Sequence, residues 1–256
     1  MGLRGRNDFA IVEDIIHKID FKSLSLYQEA YIDKKNGDAT LMDDDLRIEE
    51  ELYSLLDIPG IQIKTGMTKC VIIIPKCSIV IKMPLFGIHY YEQEWDEEYE
   101  EYYDTGYDYY NDYHQANDFH LTSGHENDYC WNELQKYELA RKNGFADTLL
   151  ETCFYGIIDH VPIYLQEKAQ TLYEAIYASK SYHSSPESRK ILKDTGIIAD
   201  SDWSATIIDL YGVHFYKDLQ IFLNKYEMDD DLHNNNIGYC NNKPVILDWC
   251  GWRDEI

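Results

Sequence analysis

Between Met83 and Gln135 the chain has no Lys or Arg, and it carries 14 Asp and Glu there. A stretch so charged cannot supply an apolar core, because an unpaired buried carboxylate costs far more than its burial returns. The core must be built from the segments on either side. More than half of the formal charge of −24 falls within this part of the 256 residues. That imbalance argues against direct electrostatic binding to nucleic acid or to an anionic membrane, and it favours basic partners. Residues 92–118 are the extreme case. There, 11 carboxylates alternate with Tyr99, Tyr102, Tyr103, Tyr107, Tyr109, Tyr110 and Tyr113, and aliphatic residues are nearly absent. Too little apolar surface is available to offset the entropy of ordering, so the segment reads as a flexible insertion. It would be either a solvated loop or a surface that docks on a basic protein face or imitates nucleic acid.

The flanks carry clear periodicity. Phe9, Val12, Ile15, Ile16 and Ile19 sit at helical spacing over residues 8–22, with Asp8 as a cap; Ile48, Leu52, Leu55 and Leu56 mark a second helix over 45–56, closed by Pro59-Gly60. Residues 1–57 thus form a helical extension. Residues 61–64, 70–74 and 78–83 are short, apolar and β-branched, and Pro75-Lys76-Cys77 is a tight connection, so they predict an antiparallel meander. A helix follows over 127–142, through Trp131, Leu134, Tyr137 and Leu139 and stopped by Asn143-Gly144. Then come strands at 152–158 and 162–166, helix at 170–180, a polar loop at 181–188, a long helix at 205–226, and strands at 237–239 and 245–247 around an Asn241-Asn242 turn. The fold class is α+β. Six cysteines without a C-x-x-C pair, no apolar run near 18 residues and no apolar signal core at the start read as a cytoplasmic chain without a membrane span. His and Cys lack the spacing of zinc ligands.

The last thirty residues hold the chemistry. Asp231-Leu232-His233-Asn234-Asn235-Asn236 precedes a short strand, and Leu247-Asp248-Trp249 follows it. Taken singly, each Asp or Asn is ordinary turn chemistry. Taken together, one Asp suits the orientation of an acceptor hydroxyl, and an amide and a second carboxylate suit a hard, oxygen-seeking cation. Asp229 and Asp231 could open a calcium loop, but the required Gly and closing Glu do not follow. Upstream, Lys82 ends a buried strand, where an ammonium must find an anion unless it lies at a surface edge.

This order of elements, with D-L-H-x-x-N followed by L-D-W, resembles the protein-kinase-like superfamily. The nearest resemblance is to aminoglycoside and choline phosphotransferases and to small kinase-like proteins of bacteria and viruses. It covers residues 60–252. It implies a two-lobed kinase-like fold: the helical extension 1–57, a strand-rich N-lobe over 58–168 carrying the 92–118 insertion, and a short helical C-lobe over 169–256. Because the sequence ends eight residues past Asp248, that C-lobe would be truncated. ATP and Mg²⁺ are the implied cofactors. The resemblance assigns Lys82 to the nucleotide phosphates, Glu133 to holding Lys82 (with Glu138, then Glu126, as substitutes), and Asp231 to the acceptor hydroxyl. It assigns Asn236 and Asp248 to the metal, Gly66 to the phosphate-covering loop, and Glu167 and Ala169 to a hinge whose backbone meets adenine. All would converge on one cleft. The pattern departs from the family where Asp229 and Asp230 replace His-Arg or His-Gly, and where Gln62 stands for the middle glycine between Gly60 and Gly66.

The implied function is an ATP/Mg²⁺-dependent phosphotransferase acting on a small-molecule or protein hydroxyl. The alternative is a catalytically inactive kinase-like protein that binds a basic partner through 92–118. A third reading takes the resemblance as chance in an unrelated α+β protein. Richness in Asn, Tyr, Ile and Asp fits an AT-rich genome such as a virus's, in which case the host cytoplasm is the expected compartment.

Overall fold

The computed structural model describes residues 2–21, 58–65, 69–96, 101–110, 118–121, 128–159, 161–177, 184–229 and 232–249, with backbone alone for the strand residues from 85 to 121. The protein is α+β, and its chain divides into two units: residues 1–131 with 153–166, and residues 132–152 with 167–256.

The first unit is built on a seven-stranded sheet. The strands are β1 (Gln62–Thr65), β2 (Lys69–Ile73), β3 (Ile79–Asp96), β4 (Glu101–Tyr110), β5 (Asp118–Leu121), β6 (Thr152–Ile158) and β7 (Val161–Glu167). The order is β1-β2-β3-β7-β6, with β4 and β5 also pairing β3. The expected meander is present, antiparallel throughout. The chain enters β1 by a turn at Gly60, whose φ of 83° is open to glycine and whose Cβ position lies 2.9 Å from the Pro75 ring. Helix α1 (Phe9–Ile16) presents Val12, Ile15 and Ile16 to one apolar cluster with Cys70, Ile72, Ile79, Ile81, Met83, Val161, Ile163 and Leu165. The Asp8 carboxylate accepts the Ser78 N–H, joining the helix start to the sheet. The helix is shorter than residues 8–22, because the His17 N–H bonds both Glu13 and Ile15 carbonyls and tightens the last turn. The expected helix at 45–56 lies outside the described residues.

The insertion differs from expectation. Residue 92 onward continues β3 to Asp96, and β4 returns beside it with Trp95 opposite Tyr102 and Tyr90 opposite Tyr107. Aliphatic content was the wrong measure here: Tyr and Trp favour strands, and the ladder satisfies backbone groups without an aliphatic core.

The second unit contains most of α2 (Tyr129–Lys142), then β8 (Gln170–Thr171), α3 (Leu172–Tyr177), α4 (Pro186–Thr195), α5 (Ser201–Lys225), β9 (Ile237–Cys240) and β10 (Lys243–Ile246). The three strands form an antiparallel sheet in the order β10-β9-β8. Asn241 and Asn242, with φ of 50° and 65°, make the expected turn between β9 and β10. Residues 186–188, expected as the end of a polar loop, open α4. The Ser185 hydroxyl caps its Ser188 N–H at 3.1 Å and Pro186 takes the first position, where a missing N–H costs nothing. Helix α5 starts four residues earlier than expected because the Asp200 side chain caps Asp202 and Trp203, and it breaks at Gly212, where φ is 87°. A second apolar cluster gathers Trp203, Ile207, Tyr216, Leu219, Phe222, Ile237, Val245, Ile246 and Trp249. No helix among the described residues is long and apolar enough to cross a membrane, and no disulfide joins the described cysteines.

Candidate functional site

In the second unit, β9 and β10 form a hairpin whose open end carries the Asn and the Asp. The Asn236 carbonyl accepts the Leu247 N–H at 2.7 Å and the Asp248 N–H at 3.4 Å, while the Asn236 N–H donates to His233 at 2.9 Å. Twelve positions of sequence thus fold into one point. The backbone positions that carry the amide and the carboxylate assigned to a cation thus lie side by side. Both are hard oxygen donors and fit Mg²⁺ by type. Among the described residues no three His, Cys, Asp or Glu groups cluster as a metal site. Asp231, the third member of the expected set, lies outside the described residues, as does Gly66.

The residue after Asp248 ties this end to α2. Trp249 is fully buried, and its indole N–H donates to the Glu133 carbonyl at 3.0 Å. Glu133 itself is 0% exposed. Its proposed substitute Glu138 is turned outward and paired with Arg141 at 2.6 Å; Glu126 lies outside the described residues. Burial therefore separates Glu133 from Glu138. The surface of α2 that is buried comprises Tyr129, Cys130, Glu133, Lys136, Tyr137 and Ala140. Two charged positions interrupt an otherwise uncharged stripe. The Tyr137 phenol is pushed up to about 12, by burial first and by the Glu151 carboxylate second.

Of the two extra acids before Asp231, Asp229 is described. Its carboxylate accepts the Asn224 side-chain N–H at 3.1 Å, at the end of α5, and its carbonyl accepts the Leu232 N–H. One of the two added charges is therefore engaged by a local amide. Along the segment assigned to a hinge, the Glu167 N–H donates to the Glu151 carbonyl at 2.8 Å, and the Lys168 carbonyl accepts the Cys240 thiol at 3.6 Å. The Glu167 donor is thus already used, and Ala169 packs partly against the apolar cluster.

Lys82 belongs to the first unit, and Glu133, Asn236 and Asp248 to the second. On β3, Lys82 stands opposite Val71 and is 5% exposed, so it is not an edge lysine in water. Strand alternation explains its company. Cys70 and Ile72 of β2, Ile79, Ile81 and Met83 of β3, and Ile163 and Leu165 of β7 face the apolar cluster. The alternate residues face the other way: Lys69 and Val71, Val80 and Lys82, Tyr164 and Gln166. Of these, Lys69, Val80, Lys82, Tyr164 and Gln166 are buried. The Tyr164 hydroxyl donates to the Asp128 carboxylate at 2.5 Å, and the other Asp128 oxygen accepts the Trp131 N–H at 2.9 Å at the start of α2. Burial, then the Asp128 charge and hydrogen bond, push the Tyr164 phenol up, so it stays a donor. Lys69, Tyr164, Gln166 and Asp128 were not among the residues expected from sequence. The signal was available in the period-2 alternation of Val161–Glu167, which separates Tyr164 and Gln166 from Ile163 and Leu165.

Gly60 serves the turn before β1 and Gln62 lies within β1, so neither belongs to a phosphate-covering loop between β1 and β2. That connection is residues 66–68, outside the described part. No protein-family model, curated protein or solved structure matches the chain.

Proposed function

We propose that the protein is an ATP- and Mg²⁺-dependent phosphotransferase of the protein-kinase-like kind, acting on a hydroxyl of a small molecule or a protein. The observation that carries this reading is the Asn236 carbonyl bonded to the Leu247 and Asp248 N–H groups. It gives a backbone reason for the spacing of the amide and the second carboxylate, which isolated turn residues would not need.

The cofactor supplies a transferable phosphoryl group and a cation that offsets its charge. The chain's own contributions are positional. Lys82 is a buried cation on a sheet face outside the apolar cluster and takes the nucleotide phosphates. Asn236 and Asp248 hold the cation by side-chain oxygens. Asp231 accepts a hydrogen bond from the acceptor hydroxyl, orients it, and receives its proton late in transfer. Glu133, fully buried on α2, is a positioning residue for Lys82.

Thermal-shift titration with Mg·ATP tests binding. A stabilisation of the wild type that vanishes in both Asp248→Ala and Lys82→Ala is the expected result, and a wild type that does not respond ends the reading. Transfer of labelled γ-phosphate, lost in Asp231→Ala while the shift remains, separates chemistry from binding.

A second reading, a binding protein without catalysis, is favoured by one observation: residues 92–96 and 101–110 of the acidic, Tyr-rich segment pair in the β3–β4 ribbon, and their charge suits a basic protein face. Deletion of residues 92–110 should abolish capture of a polylysine-type partner and leave the Mg·ATP response intact.

A further inference from the structure

Lys69 and Lys82 are 4% and 5% exposed, and they lie on the same face of the first unit's sheet. Lys82 is opposite Val71 and Lys69 is opposite Pro84, which makes the two lysines diagonal neighbours on adjacent strands. Diagonal positions are about 7 Å apart at Cβ, well within the reach of one polyphosphate for side chains of this length. Two ammonium groups repel each other, and burial sharpens the repulsion. A face kept only for packing would carry valine at such places, as it does at Val80. Tyr164 and Gln166 continue the same face with polar groups.

We propose that Lys69 is a second phosphate-binding residue of the nucleotide site, acting beside Lys82. This deepens the phosphotransferase reading and rests on it. Lys69 opens β2, the first residue of the strand that follows β1. A side-chain cation there supplies by charge what a glycine-rich loop supplies by backbone amides. Both lysines take part in interactions within the protein, and a bound polyphosphate exchanges for some of them. The preferred ligand is therefore a nucleoside di- or triphosphate, with affinity rising from nucleoside to diphosphate to triphosphate.

Calorimetric titration of the full chain with Mg·ATP, Mg·ADP and adenosine provides the test, on the wild type and on Lys69→Met, Lys69→Arg and Lys82→Met. Lys69→Met should weaken Mg·ATP about ten- to a hundredfold, as expected for a charged hydrogen bond, and leave adenosine nearly unchanged, while Lys69→Arg keeps most of the affinity. Wild-type affinity in Lys69→Met, with Lys82→Met impaired, overturns the role of Lys69 and leaves the nucleotide reading standing. A wild type that binds no Mg·ATP overturns both. If Lys69→Met does not fold, the wild type still answers through an acyl phosphate of ATP. A lysine nitrogen beside the phosphates attacks the acyl carbon, the mixed-anhydride bond breaks, the nucleotide phosphate leaves and the amine loses a proton. Acylation at both Lys69 and Lys82 supports the proposal; acylation at Lys82 alone overturns it.

Discussion

The two sheets of this protein bury their faces differently. In the small sheet of the second unit, all four residues of β9 are buried, with Ile237 and Tyr239 alternating with Gly238 and Cys240. Its one charged residue, Lys243, is exposed at the start of β10. In the larger sheet of the first unit, one face is as apolar as the small sheet, but the other holds Lys69, Lys82, Tyr164 and Gln166 out of water. Stability alone does not select that second face, since a well-packed apolar set of similar volume would serve as well or better. The contrast teaches where to look for function: the small sheet positions its loop ends, and the large sheet sets aside one surface for polar groups.

Substitutions within the apolar parts should cost stability and nothing else. The largest effect is expected at Gly238, where an added Cβ would lie 2.0 Å from the Gln170 carbonyl oxygen on β8. Backbone cannot rotate away, so Gly238→Ala should part β8 from β9 and cost about 4 kcal/mol or more. Chemical denaturation would show it, and a near-neutral result would mean that the two strands do not pack as closely as described. Next is Ile81→Ala, on the apolar face of β3 directly next to Lys82. It removes a fully buried side chain, with an expected loss of about 3 kcal/mol. Its Mg·ATP affinity, measured on the folded fraction, should equal that of the wild type. A selective loss of affinity would erase the distinction between the two faces.

Tyr164→Phe probes the polar face. It keeps the ring and takes away the donor to Asp128, which is 1% exposed. A buried carboxylate that loses this donor should cost about 2 kcal/mol. Equilibrium unfolding that shows Tyr164→Phe to be as stable as the wild type would mean that this face does not hold together as a hydrogen-bonded unit.

How much of this was legible in advance follows from which residues carry each element. The meander is readable because two short β-branched runs, residues 70–74 and 78–83, flank the tight Pro75-Lys76-Cys77 connection. The Asn236–Asp248 pairing was readable because spacing survives folding when a two-residue turn joins short strands. Periodicity locates helix α2 but only part of its buried side: of Trp131, Leu134, Tyr137 and Leu139 only Tyr137 is buried, because Glu133 and Lys136 occupy positions where an apolar stripe would normally run. Lys69 was missed for the same reason, because a lysine after a turn reads as the edge of a strand. Helix α4 buries few of its side chains, Leu192 and the Ser188 end among them, and composition concealed its Ser-Pro start. Wherever a polar residue is held inside, hydropathy loses the element or turns it round.

The smallest effect is expected from polar groups that serve only structure, and it supplies the control for the polar face. The Asp209 carboxylate on α5 accepts the Ser185 N–H and hydroxyl, each at 2.7 Å, and the Ser188 hydroxyl at 2.6 Å, fastening the start of α4. Burial tends to raise the Asp209 pKa, but the Ser185 and Ser188 hydrogen bonds outweigh it, and the net shift is downward. A carboxylate shifted down stabilises the fold fully above its unfolded value, about 3.9, and that contribution is lost as the pH falls through the lower folded value. Asp209→Asn removes the titration. Its melting temperature should lie below that of the wild type at neutral pH by an amount equivalent to less than about 1 kcal/mol, because Asp209 is exposed and water competes for it. The gap should be constant from neutral pH down to about pH 5 and close below about pH 4. Mg·ATP should raise both melting temperatures equally. If Asp209→Asn instead weakens the nucleotide response, then the separation of structural from ligand-binding polar groups does not divide the molecule where its two sheets suggest.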